Sequence, residues 1–218
     1  MLAAVREAGI LALGFYRTDL KKWIKGGDSI VTEADIAVNE LLQKKLAAER
    51  PDYGWLSEET EDDRLRLTRS RVWVVDPIDG TRAFAKGKPH FVISVALVEN
   101  GAPVLGALFN PATDEFFEAS AGGGARLNGA PIHVTDRASI AGCRMASHLT
   151  LFRHPAWKEP WPEMEMIERN SVAYRIALVA CGAGTDHLPP GPGVTVDQVI
   201  AAYEHQFEVI ERLGIKLE

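Results

Sequence analysis

The chain has 218 residues, 46% of them hydrophobic and 25% charged. That is enough for a sizeable core, and it excludes the low-hydrophobicity, high-charge profile of a disordered chain. Lys and Arg number 24 against 30 Asp and Glu, a formal charge of −6, so the basic excess of a duplex-binding domain is missing and no nucleic-acid polymer is expected as a partner. The two cysteines, Cys143 and Cys181, exclude a disulfide scaffold and a cysteine-based zinc site.

Taken in chain order, Leu2, Val5, Ala12 and Tyr16 fall near one helical face, which predicts a first helix beginning almost at Met1. Arg6 and Glu7 interrupt any signal-peptide core, and no run approaches the roughly 18 apolar residues of a membrane span. A cytoplasmic location without a membrane partner is therefore expected. Gly26-Gly27 reads as a loop. Thr32-Glu33-Ala34-Asp35 then opens a second helix with Val38, Leu41, Leu42 and Leu46 on one stripe, and Pro51 follows its end.

Strand signals come next. Residues 53–56 are short and aromatic, and Val72-Trp73-Val74-Val75 is a continuous apolar run of the buried type. Residues 91–98 and 104–109 flank Glu99-Asn100-Gly101, and Asn-Gly is the strongest short hairpin signal. Residues 114–119 add another strand, and Gly122-Gly123-Gly124 and Asn128-Gly129 mark tight loops. Pro155, Pro160 and Pro162 break the stretch 150–170, where Trp157 and Trp161 read as packing residues. Ser171 is expected to cap a helix with Val172, Ile176 and Val179 inward, ending at Gly182. A Pro-Gly loop over 189–193 precedes Thr195-Val196-Asp197-Gln198, which has capping-box spacing, and a last helix with Val199, Tyr203, Phe207 and Ile210 on one face. Helices first, then a mostly antiparallel sheet, then more helix: the order predicts a layered α/β or α+β architecture.

The chemistry concentrates where residues 72–75 run into Asp76-Pro77-Ile78-Asp79-Gly80-Thr81. Pro77 fixes its φ and donates no N–H, so a sharp turn there would let Asp76 and Asp79 converge. Two convergent carboxylates suit a hard divalent cation such as Mg²⁺. Gly80 and Thr81 would begin a short helical turn whose amides face a phosphate. The plainer alternative is a pair of ordinary turn dipeptides. Ser57-Glu58-Glu59-Thr60 ends a strand, and a carboxylate there would complete the metal shell; otherwise it is a solvated acidic loop continuing into Glu61, Asp62 and Asp63. Asp35 is either a capping acid for its own helix or a base near the metal, and spacing alone leaves both open. No nucleophile elbow, H-x-x-x-H pair or P-loop frame occurs.

The string Trp73-Val74-Val75-Asp76-Pro77-Ile78-Asp79-Gly80-Thr81 resembles the signature of the inositol monophosphatase family. So do Ser57-Glu58-Glu59, Lys25 with residues 29–35, the hairpin, Asn110-Pro111-Ala112-Thr113, residues 123–129 and the helix from Ser171. The resemblance covers roughly residues 1–182. It implies a single domain of the αβαβα sandwich type over 1–218, with a metal-binding half (1–135) and a substrate-side half (136–218) that diverges after about 182. It implies Mg²⁺-dependent hydrolysis of a small phosphorylated metabolite, with two or three ions. Glu58, Asp76 and the carbonyl of Ile78 would hold the first, and Asp76 and Asp79 the second. Thr81 and Asp35 would orient and deprotonate the attacking water, and the amides of Gly80 and Thr81 would hold the phosphate.

Relatives act on inositol phosphates, 3′(2′),5′-adenosine bisphosphate or histidinol phosphate, and they are commonly dimers, so a homodimer is expected. The family's usual further ligand, the Asp of a Trp-Asp pair, has no counterpart here. Asp197 stands near the expected distance, and an acid in a first helical turn is the simpler account of it. A non-catalytic phosphometabolite binder is the alternative of a different class.

Overall fold

The computed structural model describes residues 1–25, 29–62, 64–136, 139, 141–146 and 160–182. Asp197, the Pro-Gly loop, the last expected helix, Trp157 and Gly26-Gly27 lie outside them. The chain divides into two compact units. One comprises Met1–Pro131 with Asn170–Tyr174; the other comprises the described residues of 132–169 and of 175–182.

In the first unit, helix α1 (Leu2–Phe15) is followed by the two-stranded hairpin β1 (Lys22–Lys25) and β2 (Ser29–Thr32), then helix α2 (Glu33–Glu49). A seven-stranded sheet follows: β3 (Gly54–Ser57), β4 (Arg71–Asp79), β5 (Val92–Glu99), β6 (Ala102–Asn110), β7 (Glu115–Ser120), β8 (Gly124–Leu127) and β9 (Ala130–Pro131), in sequential order. Only β3–β4 is parallel in that sheet; the other pairs are antiparallel. The hairpin between β5 and β6 turns through Asn100 and Gly101, both at positive φ (50° and 84°), as the Asn-Gly pair predicts. The second unit holds a parallel pair, β10 (Arg144–Ala146) with β11 (Glu165–Ile167). Helix α4 (Val172–Ala180) begins in the first unit and ends in the second.

One core joins the helices to the sheet. Val5, Ala8 and Ala12 of α1 and Val38, Leu42 and Leu46 of α2 are fully buried, clustered with Trp73, Val75, Ile78, Val95, Phe109 and Phe116 of the strands. Cutting a side chain such as Leu42 to Ala in this setting costs about 2–5 kcal/mol. The expected stripe of α2 holds, with Leu41 only partly buried. On α1, Val5 and Ala12 face inward while Leu2 remains 40% exposed. On α4 the expected phase is wrong. Tyr174, Ala177 and Leu178 are the buried side chains, and Val172, Ile176 and Val179 are half-buried. Reading apolarity alone favoured Val and Ile over Tyr174, whose ring packs on Phe117 and whose hydroxyl donates to Glu115.

Candidate active site

The parallel pair sets the site. Ser57 at the end of β3 lies beside Val75 of β4, so the chain leaving β3 brings Glu58 past that end, where its N–H donates to the Val75 carbonyl at 3.2 Å. Asp76 is the next residue of β4. Its carboxyl group is hydrogen-bonded with that of Glu58 and feels the charges of Asp79 and Asp35. Burial first, then the charges of Asp79 and Glu58, hold Asp76 well above the usual carboxylate range. An acidic side chain so placed favours a proton or a cation beside it.

The expected sharp turn at Pro77 is not found. β4 continues to Asp79, and the two carboxylates are brought together by a β-bulge instead. Asp76 pairs with Ser94 and Asp79 with Val92, so three steps on β4 match two on β5. In an unbroken strand, residues three apart point to opposite faces; one extra residue resets the alternation. Pro77 suits that position because it has no ladder hydrogen bond to lose.

Immediately after the bulge, Gly80 takes φ +97°, and a Cβ there would lie 2.6 Å from the His90 carbonyl oxygen, so the position admits only glycine. The short helix α3 (Thr81–Phe84) starts from it, with the N–H groups of Ala83 and Phe84 donating to the Gly80 carbonyl at 2.9 and 3.0 Å. Thr81 Oγ1 lies 3.1 Å from Asp35 Oδ1 and 2.9 Å from the Ile78 carbonyl, two acceptors for its single proton.

The capping reading of Asp35 holds, and its other oxygen is turned to Thr81. Its Oδ2 accepts the Thr32 N–H at 2.8 Å and the Thr32 hydroxyl at 2.6 Å, closing the start of α2. Its Oδ1 remains for Thr81. Asp35 is 1% exposed, and burial raises it to about 6 against the opposing hydrogen bonds from Thr32 and Thr81.

Asp79 has a role the sequence did not disclose. Oδ2 accepts the Ser171 hydroxyl at 2.7 Å and the Ala173 N–H at 2.6 Å, and Oδ1 lies 3.4 Å from the Val172 N–H. Asp79 therefore closes the N-terminus of α4 alongside Ser171, whose Oγ accepts the Tyr174 N–H at 2.9 Å. Lys25 was also without an assigned role. Its ammonium donates to the Glu58 carbonyl and pairs with Glu59 at 3.0 Å. Asn39 bridges Ser57 and Thr60 at 2.6 and 2.9 Å, so the acidic loop is braced rather than freely solvated.

The donor chemistry suits a hard divalent cation: carboxylate oxygens of Glu58 and Asp76, with the Ile78 carbonyl keeping a second lone pair. Among the described residues, no three His, Cys, Asp or Glu side chains are gathered as a ready-made metal site. The reason is visible in the partners: Glu58 faces Asp76, whereas Asp79 is turned to α4. Among the described residues, no helix is long and apolar enough to cross a membrane.

A family model described as the inositol monophosphatase family matches residues 2–185, and one for a protein family of unknown function, DUF993, matches residues 160–217. The chain is 41% identical over 143 residues to an inositol-1-monophosphatase of Rhizobium meliloti, covering 65% of this chain and 53% of that protein. It is 38% identical over 135 residues to a histidinol-phosphatase of Chlorobaculum parvum, covering 62% and 51%. It is 34% identical over 204 residues to the Nus factor SuhB of Xylella fastidiosa, covering 88% and 72%. The chain thus spans about half the length of the first two relatives. Among solved structures it resembles the extragenic suppressor protein SuhB of Bartonella henselae, with a TM-score of 0.73 and 29% identity over 85% of this chain and 74% of that one. It also resembles an IMPase of Thermotoga maritima, with a TM-score of 0.71 and 30% identity over 84% and 71%.

Proposed function

The chain belongs to the inositol monophosphatase family, and we propose that it is a Mg²⁺-dependent phosphomonoesterase acting on a small phosphorylated metabolite of the inositol monophosphate kind. The observation that carries this reading is the meeting of Thr81 with Asp35 beside the Glu58–Asp76 pair. Glu58, Asp76 and the Ile78 carbonyl would hold a first ion, and Asp76 with Asp79 a second. When bound, Mg²⁺ supplies charge neutralisation for the phosphate and a lowered pKa for water.

The chain's own groups do the rest. Asp35 accepts the Thr81 proton through Oδ1, which leaves the Thr81 oxygen lone pairs to accept a proton from the attacking water. With its value near 6, Asp35 is ionised at neutral pH and able to hold that orientation. The amides of Gly80 and Thr81 would hold the phosphate oxygens. Lys25 offsets the negative charge of Glu59 at the rim.

The test is phosphate release by the full chain from inositol monophosphate, 3′(2′),5′-adenosine bisphosphate and histidinol phosphate, with Mg²⁺ and with EDTA. Release on at least one substrate, abolished by EDTA and restored by Mg²⁺, is expected. Turnover of the bisphosphate or of histidinol phosphate alone would move the substrate to that branch. A second reading, a non-catalytic phosphometabolite binder, is favoured by Asp79 being turned to α4. Mg²⁺ or phosphate binding by calorimetry with no turnover on any of the three would establish it over the enzyme.

A further inference from the structure

Helix α3 is a single turn of four residues. A turn that short has no stability of its own and depends on what its ends are tied to. Its N-terminal end is built by Gly80. Its C-terminal end closes in a Schellman pattern: the Lys88 N–H donates to the Ala83 carbonyl at 2.9 Å and the Gly87 N–H to the Phe84 carbonyl at 2.9 Å, with Gly87 at φ +66°.

The groups that hold this end come from the chain just after α1 and from the first residue of β1. The Tyr16 hydroxyl donates to the Gly87 carbonyl at 2.7 Å, and Arg17 Nε reaches the same oxygen at 3.2 Å. Lys22 Nζ donates to the Ala85 carbonyl at 3.2 Å. Tyr16 is fixed in turn by its ring, which lies 5.7 Å from Phe84 and 5.3 Å from Phe91, centroid to centroid, while Phe84 and Phe91 meet edge-to-face at 4.8 Å. Phe84 is the last residue of α3 and is fully buried. One side chain thus holds α3 twice, by its ring through Phe84 and by its hydroxyl through Gly87.

We propose that Tyr16 is a positioning residue for Thr81: its hydroxyl, tied to the Gly87 carbonyl, fixes the rotation of α3 and so the direction in which the Thr81 hydroxyl meets Asp35. The link from Thr81 to the reaction rests on the phosphatase reading; the link from Tyr16 to α3 does not. The mechanism follows from the size of the turn. A rotation of α3 about Gly80 would separate Thr81 from Asp35, and the Tyr16 hydroxyl at Gly87, six residues on, opposes it together with the buried ring of Phe84.

Tyr16→Phe tests this, because it removes the hydroxyl and keeps the ring. Amide hydrogen exchange of the full chain is read over residues 81–88 and, as a control, over α2, together with kcat and KM separately. Loss of one hydrogen bond should speed exchange over 81–88 about fivefold, leave α2 unchanged, and lower kcat severalfold with KM unaltered. Arg17→Gln should shift the same amides by less. Unchanged exchange over 81–88, a uniform rise across the protein, or a KM increase at constant kcat would each overturn the proposal. If the wild-type chain releases no phosphate from any substrate, the phosphatase reading fails, and local exchange in Tyr16→Phe still decides whether Tyr16 holds α3.

Discussion

The starts of α2 and α4 are closed by the same chemistry over very different lengths of chain. Asp35 caps its own helix from three residues away, bonding the backbone and hydroxyl of Thr32. Asp79 caps α4 from 92 to 94 residues away, through Ser171, Val172 and Ala173. In both, a carboxylate meets the positive end of a helix. The local cap can form as soon as α2 does. The distant one requires the sheet to be built first, and it makes the beginning of α4 part of the same cluster as Asp76. Each carboxylate has a second duty besides capping: Asp35 faces Thr81, and both press on Asp76 with their charge.

The largest effect should come from removing the group on which both act. Asp76→Asn is expected to lower Mg²⁺-dependent phosphate release at least about a thousandfold, in the range of lost transition-state charge stabilisation. It should also raise the melting temperature of the metal-free protein, since a buried carboxyl crowded by three others is relieved. A variant that keeps its activity, or that melts lower without metal, would break the link between the two capping acids.

A smaller effect separates the two caps. Asp79→Ala should cost about 1 kcal/mol of helix capping and speed amide exchange at the first turn of α4 about fivefold, while α2 is untouched. Asp35→Ala should do the reverse. If α4 exchange is the same in wild type and Asp79→Ala, the long-range cap does not hold that helix.

A further effect, confined to the metal-free protein, is in pH. Asp35 stands at about 6 in the folded protein against 3.8 for an ordinary aspartate, so the folded state holds this proton more tightly than the unfolded chain does. Its contribution to stability is greatest below pH 4 and is lost as the pH rises to about 6, by roughly 3 kcal/mol in the metal-free protein. Compared with Asp35→Asn, which has no such proton, wild type should therefore weaken over that window in urea titrations. Parallel curves for the two proteins would show that Asp35 titrates normally.

What could be read from the residues follows the same division. Thr32 and Asp35, Asn100 and Gly101, and the apolar stripe of α2 are signals contained within a few neighbouring positions, and each appears in the structure as expected. The convergence of Asp76 and Asp79 was legible, but its means was not: Pro77 is compatible with a turn or a bulge, and only pairing with Ser94 and Val92 decides between them. The hairpin of β1 and β2 escaped notice because Lys22-Trp23-Ile24-Lys25 is exposed throughout and shows no inward and outward alternation. The contact of Ser171 with Asp79 leaves no trace in local spacing, since it depends on where the sheet carries residue 79. The inward face of α4 was misjudged for a related reason, as burial of Tyr174 is made favourable by an acceptor, Glu115, from another part of the chain.

The extra residue between Asp76 and Asp79 separates two kinds of evolutionary constraint along one strand. Upstream of it, Trp73 and Val75 are buried in the core and are free to exchange among apolar residues of similar volume. Downstream, straightening the bulge with the number of residues unchanged would return Asp79 to the odd–even beat of the core and send it to the far side of the sheet. The strand therefore tolerates drift in identity at one end, whereas at the other the shared face of Asp76 and Asp79 depends on keeping three residues against two of β5.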